Sequence, residues 1–485
     1  MHYTKWISLI IIILVIIPTA SASTNVEVGS DTYDLLLRLE AEGVIQSGLL
    51  TTRPLSRKEA IRLILEAERN SEDKSLFIRQ IIKSLKERFK DEIASAKYIK
   101  PVDITYGRYI YSDSDNSEDL TYNSNGDSYE KGSNLRLGFS SRAEWDWLYL
   151  YIHPEIRYSD SDTDMIMKKA YGILSFSVLE LELGKDSQWW GPGYHGAILL
   201  SNNPEPLTIL KINHSQPVIL PSVFKHLGLF RFTFFVTRLG EERKIPNPYL
   251  WGMRFNFKPA PYIELGLQRT AILGGEGRPE DFNTWWKSFT GKGENKPGEA
   301  GDQRAGLDLK LTLPFARQPL QLYAEAEGED EAGGLPSHWA YLTGMYLPRI
   351  LNLERLDFRT EYATTHVNGH PNVWYSHHIY TGYTFKGKII GHHMGTDSRD
   401  IFLEARYFLP KMNNGRIAVS YDLEKHLSRE IKETTEEFAI KINLPVKKAI
   451  TLKTAYSYGK IKNLDNIQGA NKNINILMAE IMYRF

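Results

Sequence analysis

From about residue 100 to its last residue the chain carries a hydrophobic period of two, and few folds can accommodate that pattern over such a length. Leu179, Leu181 and Leu183 alternate with Glu180, Glu182 and Gly184. Leu307, Leu309, Leu311 and Leu313 alternate with Asp308, Lys310 and Thr312, and Phe438, Ile440, Ile442 and Leu444 with Glu437, Ala439, Lys441 and Asn443. Phe230, Phe232, Phe234 and Val236 follow the same rule, interrupted only by Phe235. Successive side chains of a strand point to opposite faces, so each segment has one apolar and one polar face. A soluble sandwich produces the same alternation. Three features point instead to a barrel in lipid. The pattern persists for about 385 residues without a helical interruption. Short turns alternate with long polar loops rich in Gly and Asn, such as Ser112 to Ser133 and Gly274 to Gln303. The polar positions also carry full charges (Glu180, Asp308, Glu437), which a wet lumen tolerates. At about ten residues per spanning strand and a similar length per connection, the region holds about 18 strands.

The C-terminus narrows this further. Counting back from Phe485, every second residue is Tyr483, Ile481, Ala479 and Leu477, an apolar stripe that stops at Asn475. The intervening Arg484, Met482, Glu480, Met478 and Ile476 are mixed, so the two charges suit a lumen while the methionines and Ile476 require packing inside it. A barrel in lipid cannot leave an edge unpaired, so this strand must close on the first. A terminal aromatic on such a strand is similar to the signal by which the barrel-assembly machinery recognises outer-membrane proteins.

The N-terminus addresses the compartment. Lys5 precedes an apolar core from Trp6 to Ile17, Pro18 breaks it, and Ala20-Ser21-Ala22 supplies small residues for a signal peptidase. Residues 1–22 read as a cleaved signal peptide, because the core is shorter than the ~20 residues of a spanning helix. Residues 23–98 read as a small helical bundle. Ser30 or Asp31 caps a helix carrying Leu35, Leu36 and Leu39 and stopped near Gly43, and Ser56-Arg57-Lys58-Glu59 reads as a capping box with Leu55 stapled to Ala60. Ile61, Ile64 and Leu65, then Ile78, Ile81, Ile82, Leu85 and Phe89, form stripes at helical spacing. Residues 99–485 form the barrel, so the fold class is mainly β: a transmembrane antiparallel β-barrel behind an N-terminal helical bundle.

Composition sets the remaining bounds. Mean hydropathy is −0.36, which excludes a helical membrane protein but not a barrel, whose interior is polar. Lys plus Arg balances Asp plus Glu at 59 each, so no basic stripe suggests nucleic acid. Cysteine is absent, and with it any thiolate ligand or nucleophile. Aromatic residues make up 12% of the chain, as interfacial girdles or sugar-stacking surfaces require.

The densest constellation lies between two strands: Gly184 to Gly196, containing Gln188-Trp189-Trp190-Gly191-Pro192-Gly193-Tyr194-His195, then Ser201-Asn202-Asn203-Pro204. Glycine and proline there demand a particular tight backbone. Trp189, Trp190 and Tyr194 could stack on sugar rings while Asn202 and Asn203 bond hydroxyls. The same residues could instead pack a loop folded into the lumen. Trp285-Trp286, in the loop after Gly274, adds a second aromatic pair to the candidate carbohydrate-binding set.

These stretches resemble the capsule-assembly Wzi family. The tryptophan–glycine loop with Ser201 to Pro204 looks like the family's hallmark. Leu35-Leu36, Gly43-Val44-Ile45 and Leu50 to Leu55 resemble its helical entry, and Gly252-Met253-Arg254, Gln268-Arg269-Thr270, Gly274 to Pro279, Glu327 to Glu331 and Leu335-Pro336-Ser337 also agree. Arg53 departs from it, standing where an aromatic is expected before the proline. The resemblance implies an outer-membrane lectin that holds capsular polysaccharide or exopolysaccharide on the cell surface of a Gram-negative bacterium, without catalysis or cofactor. Outer-membrane lipid and the assembly machinery are the other expected partners, and a monomer is the expected state. The alternative is a porin or solute channel on the same barrel.

Other clusters are expected to be structural. Glu325, Glu327, Glu329, Asp330 and Glu331 could suggest a glycosidase, which needs two acids flanking a bond, or a calcium site. Glu325 and Glu327 share one face of a strand, however, with the rest expected in a loop. The pairs His377-His378 and His392-His393 would face opposite sides of a strand, so no metal and no catalytic residue is assigned. No phosphate loop, G-x-S-x-G elbow or H-E-x-x-H is present.

Overall fold

The computed structural model describes residues 23–94, 97–114, 120–291, 301–332, 335–412 and 414–485. The signal peptide expected at 1–22 lies outside them. Eighteen strands, from Tyr98–Ser112 to Lys472–Arg484, form one closed antiparallel barrel in which each strand pairs with its neighbours in sequence. Closure is made as the final strand requires: Ile104 lies opposite Arg484 and Ser112 opposite Ile476, with the pairing unbroken between them. A two-residue piece, Val218–Ile219, adds to the edge of the strand Leu229–Arg238.

The alternation sorts into faces as expected. Glu180, Asp308 and Glu437 turn into the lumen and are buried, while Leu183, Leu307 and Phe438 are exposed on the outer wall. In the last strand Leu477, Ala479, Ile481, Tyr483 and Phe485 all face outward. Ile474 and Ile476 turn inward and join Ile110, Leu120 and Ile461 in a small apolar cluster against Tyr129, Leu464 and Met478. That cluster explains why the lumen-facing half of this strand is not cleanly polar. An apolar outer wall around a charged interior is the architecture of a barrel that sits in a bilayer.

The two ends differ. At one, connections are short, as between Glu144 and Leu148, Phe176 and Leu179, and Ala260 and Ile263, with 215–228 the longer exception. At the other lie the long connections 113–131, 187–206, 274–301 and 365–397. The first and third match the sequence expectation in position. The last was not singled out from the sequence.

Among the described residues four helices precede the barrel: α1 (Asp31–Ala41), α2 (Arg57–Arg69), α3 (Leu76–Arg88) and α4 (Lys90–Ala94). Ser56 Oγ accepts the Glu59 amide at 3.1 Å and Ser75 Oγ that of Ile78 at 3.3 Å, satisfying amides that helix starts leave orphaned. Ser30 occupies the cap position of α1, yet its side chain makes no cap bond. Leu36, Leu39, Leu63, Ile64, Ile81 and Leu85 interlock as the bundle core. At about 1.5–3 kcal/mol for each such buried side chain, this stripe-to-stripe packing holds the bundle together.

The bundle is fused to the short-turn end of the barrel. Phe77 of α3 packs edge-on against Phe408 at 5.2 Å. Asp34 and Asp31 of α1 pair with Arg406 and Arg416 of the wall at 3.1 and 3.3 Å. Asn414 Nδ2 donates to the Gln80 carbonyl at 3.3 Å. The first strand starts at Tyr98, and the packing is continuous from the bundle into the barrel.

Candidate functional site

Among the segments that enter the lumen, three meet around the candidate residues, each with its own anchors. The first is the chain at 50–56, which climbs from the bundle into the barrel. The Thr51 amide and hydroxyl donate to Glu264 Oε1 at 3.0 and 2.7 Å, and Arg254 donates to Thr51 Oγ1 at 2.9 Å and Thr52 Oγ1 at 2.6 Å. Thr52 and Arg53 then pair antiparallel with Trp190 and Trp189, and Gly191 N–H donates to Thr51 O at 2.9 Å. Below it, Glu40 of α1 reaches the wall, accepting from Lys310 at 2.7 Å, Gln321 at 3.0 Å and Lys258 at 3.1 Å.

The second segment is the loop 187–206. The Glu325 carboxylate accepts the amides of Gly193 at 3.3 Å and Ile198 at 2.9 Å, and Glu361 accepts those of Tyr194 at 2.6 Å and His195 at 2.8 Å. Two wall carboxylates thus hold the loop beyond its short pairing with Thr52 and Arg53. Gly191 is needed here: its φ is +129°, and a Cβ would meet Glu325 Oε1 at 2.1 Å. The third segment, 365–397, brings Trp374, Tyr375, Tyr380 and Tyr383, all buried, over the second. Tyr375 OH donates to Ile198 O, and Ser201 Oγ donates to Gly391 O at 2.6 Å. Glu205 ties the second segment to the third through an ion pair with Lys386 at 2.9 Å and to the wall strand Leu179–Asp186 through Lys185 at 3.0 Å. Partial burial works against ionisation of Glu205, but the two lysines outweigh it and hold its carboxyl below the ordinary range.

The sequence-predicted residues fall into two groups. Trp189, Trp190, Asn202 and Asn203 come together, buried inside the lumen. Trp190 meets Phe235 edge-on at 5.3 Å and closes over Gly252, while the Arg53 guanidinium lies between the rings of Trp189 and Tyr33 at 5.4 and 5.0 Å. Asn202 Nδ2 donates to Asn123 O at 2.9 Å and Asn203 Nδ2 to Ile389 O at 3.0 Å, stitching the loops 113–131, 187–206 and 365–397 into one layer. No face of either tryptophan is open to a ligand in this arrangement. Tyr194 is half-buried, under Arg359 at 3.8 Å.

Trp285 and Trp286 lie elsewhere, on a short helix, α5 (Phe282–Thr290), that leans on the outside of the barrel. Trp285 and Phe289 pack on the outward rings of Tyr249, Trp251 and Phe234, and Trp251 Nε1 donates to Ser288 Oγ at 2.9 Å. Trp286 is left 59% exposed beside Phe282 at 82%. The two tryptophan pairs therefore occupy separate environments, one in the lumen and one on the outer wall.

The acidic run also differs from expectation in one place. Glu329 does not enter a loop: the strand continues through Ala332, and the Glu329 carboxylate is buried on Arg304 and the Tyr375 amide. Glu325 and Glu327 are lumen-facing as expected. The side chains of Asp330 and Glu331 are outside the described set. His392 and His393 sit on a loop rather than a strand, so the expected opposite-face geometry does not apply to them.

Residues 103–475 match the family described as capsule assembly protein Wzi. The chain belongs to that family. Among Wzi-like solved structures, the Escherichia coli outer-membrane protein Wzi, described as a carbohydrate-binding β-barrel involved in group 1 capsule assembly, superposes with a TM-score of 0.77 at 22% identity, covering 95% of this chain and 99% of that one. A Klebsiella pneumoniae protein described as an uncharacterized 55.8 kDa protein in the cps region is 28% identical over 322 residues, 65% of this chain. The match spans only 60% of that relative's length. Pseudomonas aeruginosa OpdQ shares the barrel fold at a TM-score of 0.50 and 11% identity, covering 80% of this chain and 97% of that one.

Proposed function

We propose that this Wzi-family barrel binds capsular or exported polysaccharide at the cell surface and helps to hold it there. The observation that carries the reading is the plugged lumen: with 50–56, 187–206 and 365–397 packed inside the wall, the barrel offers a polymer a surface rather than a passage. By the usual orientation, with short turns in the periplasm and long loops outside, the helical bundle is periplasmic and the loop layer faces the medium. Signal-directed export and recognition of the Leu477–Phe485 strand by the barrel-assembly machinery deliver it there. It acts as a monomer and without catalysis: Glu325 and Glu329, two of the acids on which a glycosidase reading would draw, are occupied by plug-loop amides and Arg304.

The sugar contacts are assigned to the outer rim of the loop layer, where Asn368, His370, Asn372 and His378 are exposed. Such side chains offer amide and imidazole partners for hydroxyls. Deleting the gene should move polysaccharide from the cells to the medium; unchanged partitioning would sink the reading. On a glycan array, combined Asn368→Ala and Asn372→Ala should weaken binding by the folded protein. Steady single-channel currents through purified protein in a planar bilayer would favour a channel instead.

A further inference from the structure

Inside the lumen, beneath the loop layer, three imidazoles converge on one carboxylate oxygen. Nε2 of His195, of His392 and of His393 each lies 3.8 Å from Asp400 Oδ2. His195 comes from the loop 187–206, His392 and His393 from the loop 365–397, and Asp400 from the wall strand Ser398–Phe408. All four are at least nine-tenths buried at the side chain. Asp400 Oδ2 and His195 Nε2 make no hydrogen bond, which is costly for polar atoms removed from water. Asp422 from the next strand adds a carboxylate oxygen 3.1 Å from His195 Nε2.

We propose that this cluster is a divalent transition-metal site, selective for zinc-like ions, that ties both plug loops to the barrel wall. His195, His393 and Asp400 are the three central ligands, with donor atoms mutually within 4.8 Å. Zinc held at 2.0–2.1 Å by tetrahedral ligands separates them by about 3.4 Å, so the two 3.8 Å imidazole–carboxylate separations need to contract by about 0.4 Å and the two imidazole nitrogens, within 4.8 Å of each other, by at most about 1.4 Å, a change that side-chain rotation supplies. Imidazole with carboxylate is a donor set for zinc and its transition-series neighbours rather than for calcium or magnesium. His393 is also oriented as a ligand would be. Its Nδ1 is bonded to Glu424 Oε1 at 2.6 Å, the outer carboxylate that fixes a metal-binding imidazole. Its Nε2 lies 3.1 Å from His195 O, a contact the ion would replace. The His195 ring is stacked on Phe402 at 3.9 Å and that of His393 on Tyr122 at 4.2 Å, so neither swings freely. Charge points the same way: Asp400, Asp422 and Glu424 are gathered in one buried group, and a dication there offsets their repulsion. His392 and Asp422 compete for the fourth position.

The experiment is metal titration of the full-length folded barrel in detergent after removal of bound ions with a chelator. Cobalt should bind one per chain, with the intense visible bands of four-coordinate Co2+, and zinc should displace it. Asp400→Asn and His195→Ala should abolish stoichiometric binding, and Glu424→Gln should weaken it by about 10–100-fold. His392→Ala and Asp422→Asn identify the fourth ligand, whichever loses the four-coordinate spectrum. His370→Ala and His378→Ala, exposed on the rim, should leave binding intact. The proposal is overturned if the folded wild-type barrel binds no metal stoichiometrically, or if binding survives both ligand substitutions or is lost with the rim histidines. Heat-modifiable migration verifies folding of each variant, and the wild-type titration decides the question even if a ligand variant fails to fold. No polysaccharide enters the measurement, so its outcome is separate from that of glycan binding.

Discussion

At the residue scale, the side chains that look most like ligand contacts in the sequence are the ones most fully used by the fold. Trp190 is completely buried between Phe235, Gly252 and the strand-like pairing with Thr52. Truncation to Ala should cost about 3–5 kcal/mol, as for large aromatics in packed cores, and lower the thermal transition of the folded barrel. Glu40 is the more consequential polar case. It holds Lys258 and Lys310 at once; Lys310 keeps Glu264 at 2.8 Å, so Glu40→Ala leaves the buried Lys258 ammonium without its carboxylate, a loss of about 3–5 kcal/mol. The expected readout is loosening of α1 from the lumen, seen as faster protease cleavage between the bundle and the barrel. Protection equal to that of the parent protein would contradict that role. None of these partnerships could be read from spacing, because Glu40 and Lys310 lie 270 residues apart in sequence.

At the element scale, the helices and the last strand follow local rules, while their docking follows electrostatics. Burial works against ionisation of Asp31 at the start of α1, but Arg88 and Arg416 outweigh it and hold the carboxyl well below the usual range. A depressed folded-state pKa contributes stability that is complete above the unfolded value, about 3.9 for Asp, and is lost as pH falls below it. Docking of α1 should therefore weaken in acid below about pH 4 and be flat from there to neutrality. Hydrogen exchange of the α1 amides across that range is the check; Asp31→Asn should reduce the dependence, and the remainder comes from Asp34, which burial pushes up but Arg406 and Arg416 hold low. The final strand makes its own case. Phe485 N–H donates to Asp103 O at 3.0 Å, and its ring is exposed on the outer wall against Tyr483. Deleting Phe485 should leave export intact but reduce the folded protein recovered from the outer membrane; normal recovery would count against the strand as an assembly signal. The α5 helix carries the opposite lesson. Its Trp-Trp pair is visible in sequence, yet its placement outside the wall depends on Tyr249 and Trp251, which the alternation sends outward.

At the scale of the whole molecule, the barrel's size and its closure were legible while its contents were not. Repeat length and connection length give about 18 strands, with 16 or 20 equally compatible, and the closing strand follows from the impossibility of an unpaired edge in lipid. Whether an 18-stranded lumen stands open depends on which loops fold inward. The loop 365–397 carries no regular period, and only its density of tyrosine and tryptophan hints at burial. Replacing residues 366–396 with a short linker should unroof the loop 187–206 and raise ion conductance above that of the intact protein. A barrel still non-conducting after that deletion would mean that 50–56 and 187–206 suffice as the plug.

The sequence by itself determined the class of the molecule, its membrane-facing stripes, its helical entry and its family, because each rests on local periodicity or on a contiguous motif. Only the tertiary structure decided what the conspicuous residues do. Trp189, Trp190, Asn202 and Asn203 are packing and stitching residues because loops distant in the chain converge on them inside a closed wall. His195, His392, His393 and Asp400 form one cluster for the same reason. Burial and mutual proximity are properties of three-dimensional closure, and a linear pattern carries no measure of either.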